Sequence, residues 1–179
     1  MKKVCMLLAD GFEDIEAIGT FAILRRCGLD VDLYALSGKN TAGKFGLVCT
    51  ELKDFAHLNA ADYEAVVLPG GPAYATLEKN EKVQQIIREY LQNNKVVAAI
   101  CASPTILGKK GFLKGKNYTC FTAMNEDFGG HFLDKYAVTD GNIITGQSAA
   151  AAIDFGFAVA EKLVGKETVE KVKKAVYYK

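Results

Sequence analysis

A chain of 179 residues with 50% hydrophobic residues and 17 glycines is long enough for one well-buried core and short for two, so a single domain over residues 1–179 is expected. Lysine and arginine total 22 against 21 aspartates and glutamates, a net charge of +1, and no basic block or aromatic-interleaved patch occurs, which argues against a nucleic-acid partner. Five cysteines (Cys5, Cys27, Cys49, Cys101, Cys120) show no paired spacing and His57 and His131 are the only histidines, a pattern of reduced thiols in a cytoplasmic protein with neither a disulfide framework nor a metal site.

The start Met1-Lys2-Lys3 followed by Val4 to Ala9 imitates a signal peptide, but Asp10, Glu13, Asp14 and Glu16 interrupt it and no cleavage site follows. Val4 to Ala9 instead reads as a strand, Asp14 to Arg26 as an amphipathic helix, and Val31 to Leu36 as a second strand after the break at Gly28. Thr41 to Glu51 has the look of short strands or a hairpin outside the main alternation. Ala65 to Leu68 is a short buried run ended by Pro69-Gly70-Gly71, and Glu81 to Asn93 is helical by the spacing of Val83, Ile86, Ile87, Tyr90 and Leu91.

Val96 to Ile100 is uncharged and partly β-branched, which suits a strand buried on both faces of a parallel sheet. Tyr118 to Phe121 and Ile143 to Thr145 are further candidate strands, with Phe132 to Asp140 outside the main alternation. Ala149 to Val164 is a long apolar helix, and Glu167 to Tyr177 a basic-flanked one. No segment approaches the ~20 apolar residues of a membrane span. Strands alternating with helices predict an α/β fold, a flavodoxin-like three-layer sandwich with a mostly parallel sheet.

In such a sheet three strand ends meet on one side: Ala9 to Glu16, Leu68 to Pro72, and Ile100-Cys101-Ala102. Cys101 falls at the carboxyl end of its strand, and Pro104 fits the first turn of a following helix, where its missing amide has no intrahelical role. That is the layout of a nucleophile elbow, whose free amides favour a thiolate. The alternative is an inert, buried structural thiol. Glu16, one turn into its helix, would be a desolvated acid able to donate a hydrogen bond to that thiolate, or else a carboxylate that complements the helix dipole. Gly71 and Ala102 would supply backbone amides around the sulfur, or Gly71 would only make a tight turn. His131, in Gly129-Gly130-His131, is the only histidine by a glycine turn and a doubtful candidate base. The first loop carries four carboxylates, and the glycine pair lacks the lysine and hydroxyl of a phosphate loop, so a flavin or nucleotide cofactor is not expected.

Gly11-Phe12-Glu13-Asp14-Ile15-Glu16, Val67-Leu68-Pro69-Gly70-Gly71, Ala98-Ala99-Ile100-Cys101-Ala102-Ser103-Pro104 and Ala152-Ile153-Asp154-Phe155-Gly156, in that order and spacing, closely resemble the ThiJ/PfpI superfamily, also called the DJ-one superfamily, in its small single-domain branch. The resemblance implies a homodimer without a cofactor. It also implies Cys101 as reactive nucleophile, Glu16 as the protonated acid beside it, and Gly71 and Ala102 as donors of amides. The histidine often described some twenty residues beyond the cysteine falls on Phe121 here. Peptidase-type members place histidine after the cysteine, where this chain has Ala102. Amidotransferases need a late His-x-Glu pair, whereas His131 is followed by Phe132 and Leu133. Two readings remain: a glyoxalase- or deglycase-like stress-response enzyme acting on small reactive carbonyls, and a non-enzymatic sensor or chaperone switched by oxidation of Cys101. A cysteine peptidase or amidotransferase-like hydrolase is a third, weaker one.

Overall fold

The computed structural model describes residues 1–179. In chain order its elements are β1 (Lys3–Leu8), α1 (Asp14–Arg26), β2 (Asp30–Ala35), β3 (Thr41–Ala42), β4 (Val48–Cys49), β5 (Lys53–Asp54), β6 (Ala65–Leu68), α2 (Tyr74–Lys79), α3 (Glu81–Gln92), β7 (Val96–Ile100), α4 (Pro104–Lys109), β8 (Asn117–Tyr118), β9 (His131–Phe132), β10 (Ala137–Asp140), β11 (Ile143–Gly146), α5 (Ala152–Val164) and α6 (Lys166–Ala175). Seven strands form one sheet in the order β10-β11-β7-β6-β1-β2-β5, parallel except for β10 against β11. This is the flavodoxin-like α/β architecture that the alternating pattern predicts.

Period-2 burial divides the core in two. Val4, Met6 and Leu8 of β1 face a layer built from α1, α5 and α6, where Ile23, Leu24, Phe155, Val159 and Val169 are buried. Cys5 and Leu7 face the opposite layer, with Leu77 of α2, Val83, Ile86 and Ile87 of α3, and Ile106 and Leu107 of α4. Strands buried on both sides need no polar alternation, which is why β1, β6 and β7 read as unbroken apolar runs.

Several boundaries move. Residues 41–49 do form a hairpin outside the main sheet, with Thr41 opposite Cys49. The run expected over Phe132 to Asp140 divides: His131–Phe132 pairs in parallel with Asn117–Tyr118 in a separate two-stranded sheet, whereas β10 joins the main sheet as its antiparallel edge. Tyr118 to Phe121 is not a strand throughout, because Phe121 begins the 3₁₀ turn Thr122–Met124. Ala149–Ala151 is likewise a 3₁₀ turn leading into α5. The short β5 and α2 carry too little periodicity to be read from sequence. No helix is long and apolar enough to cross a membrane.

The chain runs from β1 outward to β2 and then returns to β6 on the other side of β1. Strand order therefore reverses between β1 and β6, and the crevice beyond their carboxyl ends is where open α/β sheets hold ligands.

Candidate active site

The four acids of the first loop divide three tasks among them. Asp10 Oδ1 accepts from the Thr41 hydroxyl at 2.9 Å and the Ala42 amide at 3.0 Å. Asp14 accepts from the amides of Phe45 and Leu47 at 3.0 and 3.2 Å. Together they fasten the β3–β4 hairpin over the loop. Glu13 caps α1, its Oε2 accepting from the Glu16 amide at 2.8 Å. Glu16 alone turns inward, on the face shared with Ala17, Thr20 and Ile23, and is fully buried. Capping is thus the task of Glu13, and the expectation that Glu16 merely complements the helix dipole does not describe its place.

Cys101 leaves β7 with a φ of +64°, a conformation that side chains other than glycine rarely adopt and that turns its sulfur out of the sheet plane. The strain is held by a ring of hydrogen bonds. The Cys101 amide donates to Gly146 O at 2.9 Å, the Phe121 amide donates to Cys101 O at 2.8 Å, and the buried Ser103 hydroxyl donates to Pro69 O at 2.6 Å. Pro104 opens α4 as expected.

Between acid and thiol lies the Gly70-Gly71 turn. The Gly70 amide donates to Glu16 Oε2 at 2.8 Å, and a Cβ there would stand 2.7 Å from Cys101 Cβ and 2.8 Å from that same oxygen. Gly71, at φ +75°, passes so close to the first loop that a Cβ would meet Glu13 N and Gly11 O at 2.6 Å. Its amide and that of Ala102 favour the ionised form of the Cys101 thiol. Glu16 Oε1 is buried without a hydrogen-bond partner.

The two titrating groups are coupled. Burial pushes the Glu16 carboxyl up to about 7, opposed by its contacts with Cys101 and the Gly70 amide. Burial, then the Glu16 charge, pushes the Cys101 thiol up to about 12, opposed by the Gly71 and Ala102 amides. The amides act in the expected direction, but burial and then the Glu16 charge outweigh them. The pair therefore carries two protons below about pH 7 and shares one between about pH 7 and pH 12.

A cavity of about 490 Å³ opens above the sulfur, lined by Glu13, Glu16, Lys44, Phe45, Gly71, Pro72, Tyr74, Cys101, Ala102, Phe121, Met124, Ser148 and Ala149. Cys101, Glu16, Gly71 and Ala102 are thus brought together. His131 is not: it is exposed on β9, outside the cavity lining, with its amide donating to Lys116 O at 2.8 Å. Sequence reasoning missed Gly70 as the donor that orients Glu16, and Ser103 as the tie between the elbow and the glycine turn. A small polar residue directly after the apolar Ala-Ile-Cys-Ala run was the one available signal for Ser103. His, Cys, Asp and Glu side chains form no group of three that could hold a metal.

A doubly covered parallel sheet with a strained cysteine elbow at its switch point, facing a buried acid, defines a class of α/β proteins built around one thiol. A family model described as the DJ-1/PfpI family matches residues 2–162, and the chain belongs to that family. The protein dj-1beta of Drosophila melanogaster is 33% identical over 98% of this chain and 96% of its own length. Its crystal structure covers 98% of this chain and 97% of that one at 32% identity with a TM-score of 0.90. A DJ-1 superfamily protein from Salmonella typhimurium matches at 32% identity and TM-score 0.90 over 100% of both chains. A deglycase from Thermococcus kodakarensis is 33% identical over 80% of this chain and 88% of its own length.

Proposed function

We propose that this protein is a cytoplasmic, homodimeric stress-response enzyme of the glyoxalase or deglycase kind, in which Cys101 attacks small reactive carbonyls with Glu16 as proton shuttle. The observation that carries this reading is the buried, unpartnered Glu16 Oε1 in the same cavity as a thiol whose ionised form the Gly71 and Ala102 amides favour. In this reading the shared proton resides on the carboxyl, whose Oε1 has no other hydrogen-bond partner, and the charge on the thiolate. The relatives that carry the name deglycase support carbonyl chemistry.

With a 2-oxoaldehyde, the thiolate adds to the aldehyde carbon. A C–S bond forms, the carbonyl π pair moves to oxygen, and that oxygen takes the Glu16 proton. The amides of Gly71 and Ala102, already at the sulfur, lie beside the charge as it develops. The Glu16 carboxylate then removes the hydrogen on the same carbon, and a proton returned to the neighbouring carbon leaves a 2-hydroxyacyl thioester. Water cleaves it to a 2-hydroxy acid and the free thiol. One carbon is oxidised and its neighbour reduced, so no external oxidant or cofactor enters. A carboxyl titrating near 7 is suited to both giving and taking the proton at neutral pH.

The exposed apolar strip of Ile15, Ile18, Leu47 and Val48 supports a second copy of the chain as partner, and five free cysteines support a reducing compartment. The sensor reading needs no cavity, whereas this thiol faces one. The test is methylglyoxal turnover: Cys101→Ala is expected to be inactive and Glu16→Gln to lose about 10²–10⁴-fold. Turnover that survives in Cys101→Ala overturns the reading, and unchanged turnover in Glu16→Gln removes the shuttle.

A further inference from the structure

The chemistry above uses only the floor of the cavity and leaves its walls unexplained. Those walls are mostly apolar, formed by Phe45, Pro72, Tyr74, Phe121 and Met124. A volume of about 490 Å³ lies in the range that encloses a drug-sized ligand, far beyond what a three-carbon dicarbonyl fills.

Phe121 is the best placed of these residues. Its amide donates to the carbonyl oxygen of Cys101 at 2.8 Å, and its own carbonyl accepts from the Met124 amide at 2.8 Å. Backbone bonds thus fix the ring's attachment point directly beside the nucleophile. The side chain is nevertheless 43% exposed, an apolar surface held rigidly in the open. Phe45 repeats the pattern across the cavity: it is 72% exposed on a hairpin whose amides are pinned by Asp14. Neither ring has a proton to exchange, so both can contribute only shape and apolar contact. The charged lining residues are Glu13, Glu16 and Lys44, which gives no excess positive charge to attract an anionic tail.

We infer that Phe121 is a specificity-determining residue that selects 2-oxoaldehydes bearing an aryl or branched alkyl tail over methylglyoxal. The inference rests on the carbonyl chemistry proposed above. The tail lies against Phe121, with Phe45, Tyr74 and Met124 completing the enclosure, while the aldehyde carbon meets the sulfur. Because the walls are already ordered, tail binding loses little to loop ordering and the contact is carried into the transition state. The exposed Ile15, Ile18, Leu47 and Val48 lie outside the cavity lining and are left for protein contact, so the cavity and these residues have different occupants.

Two readouts test this. The first is kcat/KM for phenylglyoxal against methylglyoxal in the parent protein and in Phe121→Ala. The second is the rate of Cys101 labelling by N-phenyl-iodoacetamide against iodoacetamide, each normalised to its rate with a free small thiol. The parent is expected to favour the aryl compound about tenfold in both, and Phe121→Ala to bring both ratios near one, whichever way the absolute rates move. Turnover of both dicarbonyls without aryl preference in the parent, or a preference untouched in Phe121→Ala, overturns the role of Phe121 and leaves the carbonyl chemistry intact. Labelling that prefers the aryl reagent with no turnover of either dicarbonyl overturns the carbonyl chemistry and leaves the aryl-selecting wall standing.

Discussion

Cys5 and Cys101 are both pushed up to about 12 by burial, yet they sit in opposite circumstances. Cys5 lies in the middle of β1, fully buried, with its thiol against Ala65 O and the Tyr90 hydroxyl. Nothing near it can reverse the cost of a thiolate. Cys101 stands at a strained turn over a cavity, has its ionised form favoured by two backbone amides, and faces an acid pushed up to about 7 by burial. The elevation of a thiol is therefore no guide to its reactivity on its own. What matters is whether a neighbour can take up a proton and turn from opponent into donor.

The sharpest way to break the contrast is peptide-resolved alkylation. Under native conditions Cys101 is expected to label at least about 10³-fold faster than Cys5, whose exposure requires opening of the central sheet. Comparable rates would make both of them structural thiols.

Glu16→Leu decides the sign of the coupling. If the carboxyl keeps the shared proton, alkylation of Cys101 in the parent rises around pH 7, and loss of Glu16 shifts that rise upward by about two units or more, to or past the ordinary 9.0 of a cysteine. A carboxylate that stayed ionised would produce the reverse: a thiol protected until about pH 12 in the parent and released at lower pH once the neighbouring charge is gone.

The same pair links stability to pH, whichever atom holds the proton. In the unfolded chain Glu16 titrates at 4.5, and in the folded protein burial lifts it to about 7. The folded state thus binds the proton more tightly. Stability from this source is full below about pH 4.5 and falls as pH rises through 7, by about 3 kcal/mol in all. Urea unfolding at pH 5 and pH 8 is expected to show that loss in the parent and not in Glu16→Gln. A loss of equal size in both proteins would place its origin elsewhere.

Most of this was legible in the residues. Val96 to Ile100 announced a doubly buried strand because no polar residue interrupts it, and Cys101 with Pro104 announced the turn. Glu16 shares a helix face with Thr20 and Ile23, which allowed a desolvated acid but equally a carboxylate that complements the helix dipole, and only its burial in the fold separates the two. Other features depended on contacts distant in sequence. That β10 joins the sheet while His131–Phe132 pairs elsewhere depends on partners at Ile143–Gly146 and Asn117–Tyr118, and a four-residue run with one buried position carries no sign of either. The division of labour among Asp10, Glu13, Asp14 and Glu16 was hidden for the same reason: the hairpin amides that occupy Asp10 and Asp14 lie some thirty residues away.

His131 supplies the smallest expected effect and the cleanest control. Its place in a glycine turn made it the natural candidate for a base, and a base within reach would make the thiol independent of Glu16. The side chain is instead exposed on β9, and the segment is fixed by backbone bonds from the His131 and Leu133 amides to Lys116 O and Tyr118 O rather than by the imidazole. His131→Ala is therefore expected to leave methylglyoxal turnover and its pH profile within about twofold of the parent and to change stability by no more than about 0.5 kcal/mol, as for an ordinary surface site. A loss of activity beyond tenfold would mean that the loop carrying His131 closes over Cys101 during turnover. Glu16 would then share the proton work with an imidazole that the resting structure holds apart from it.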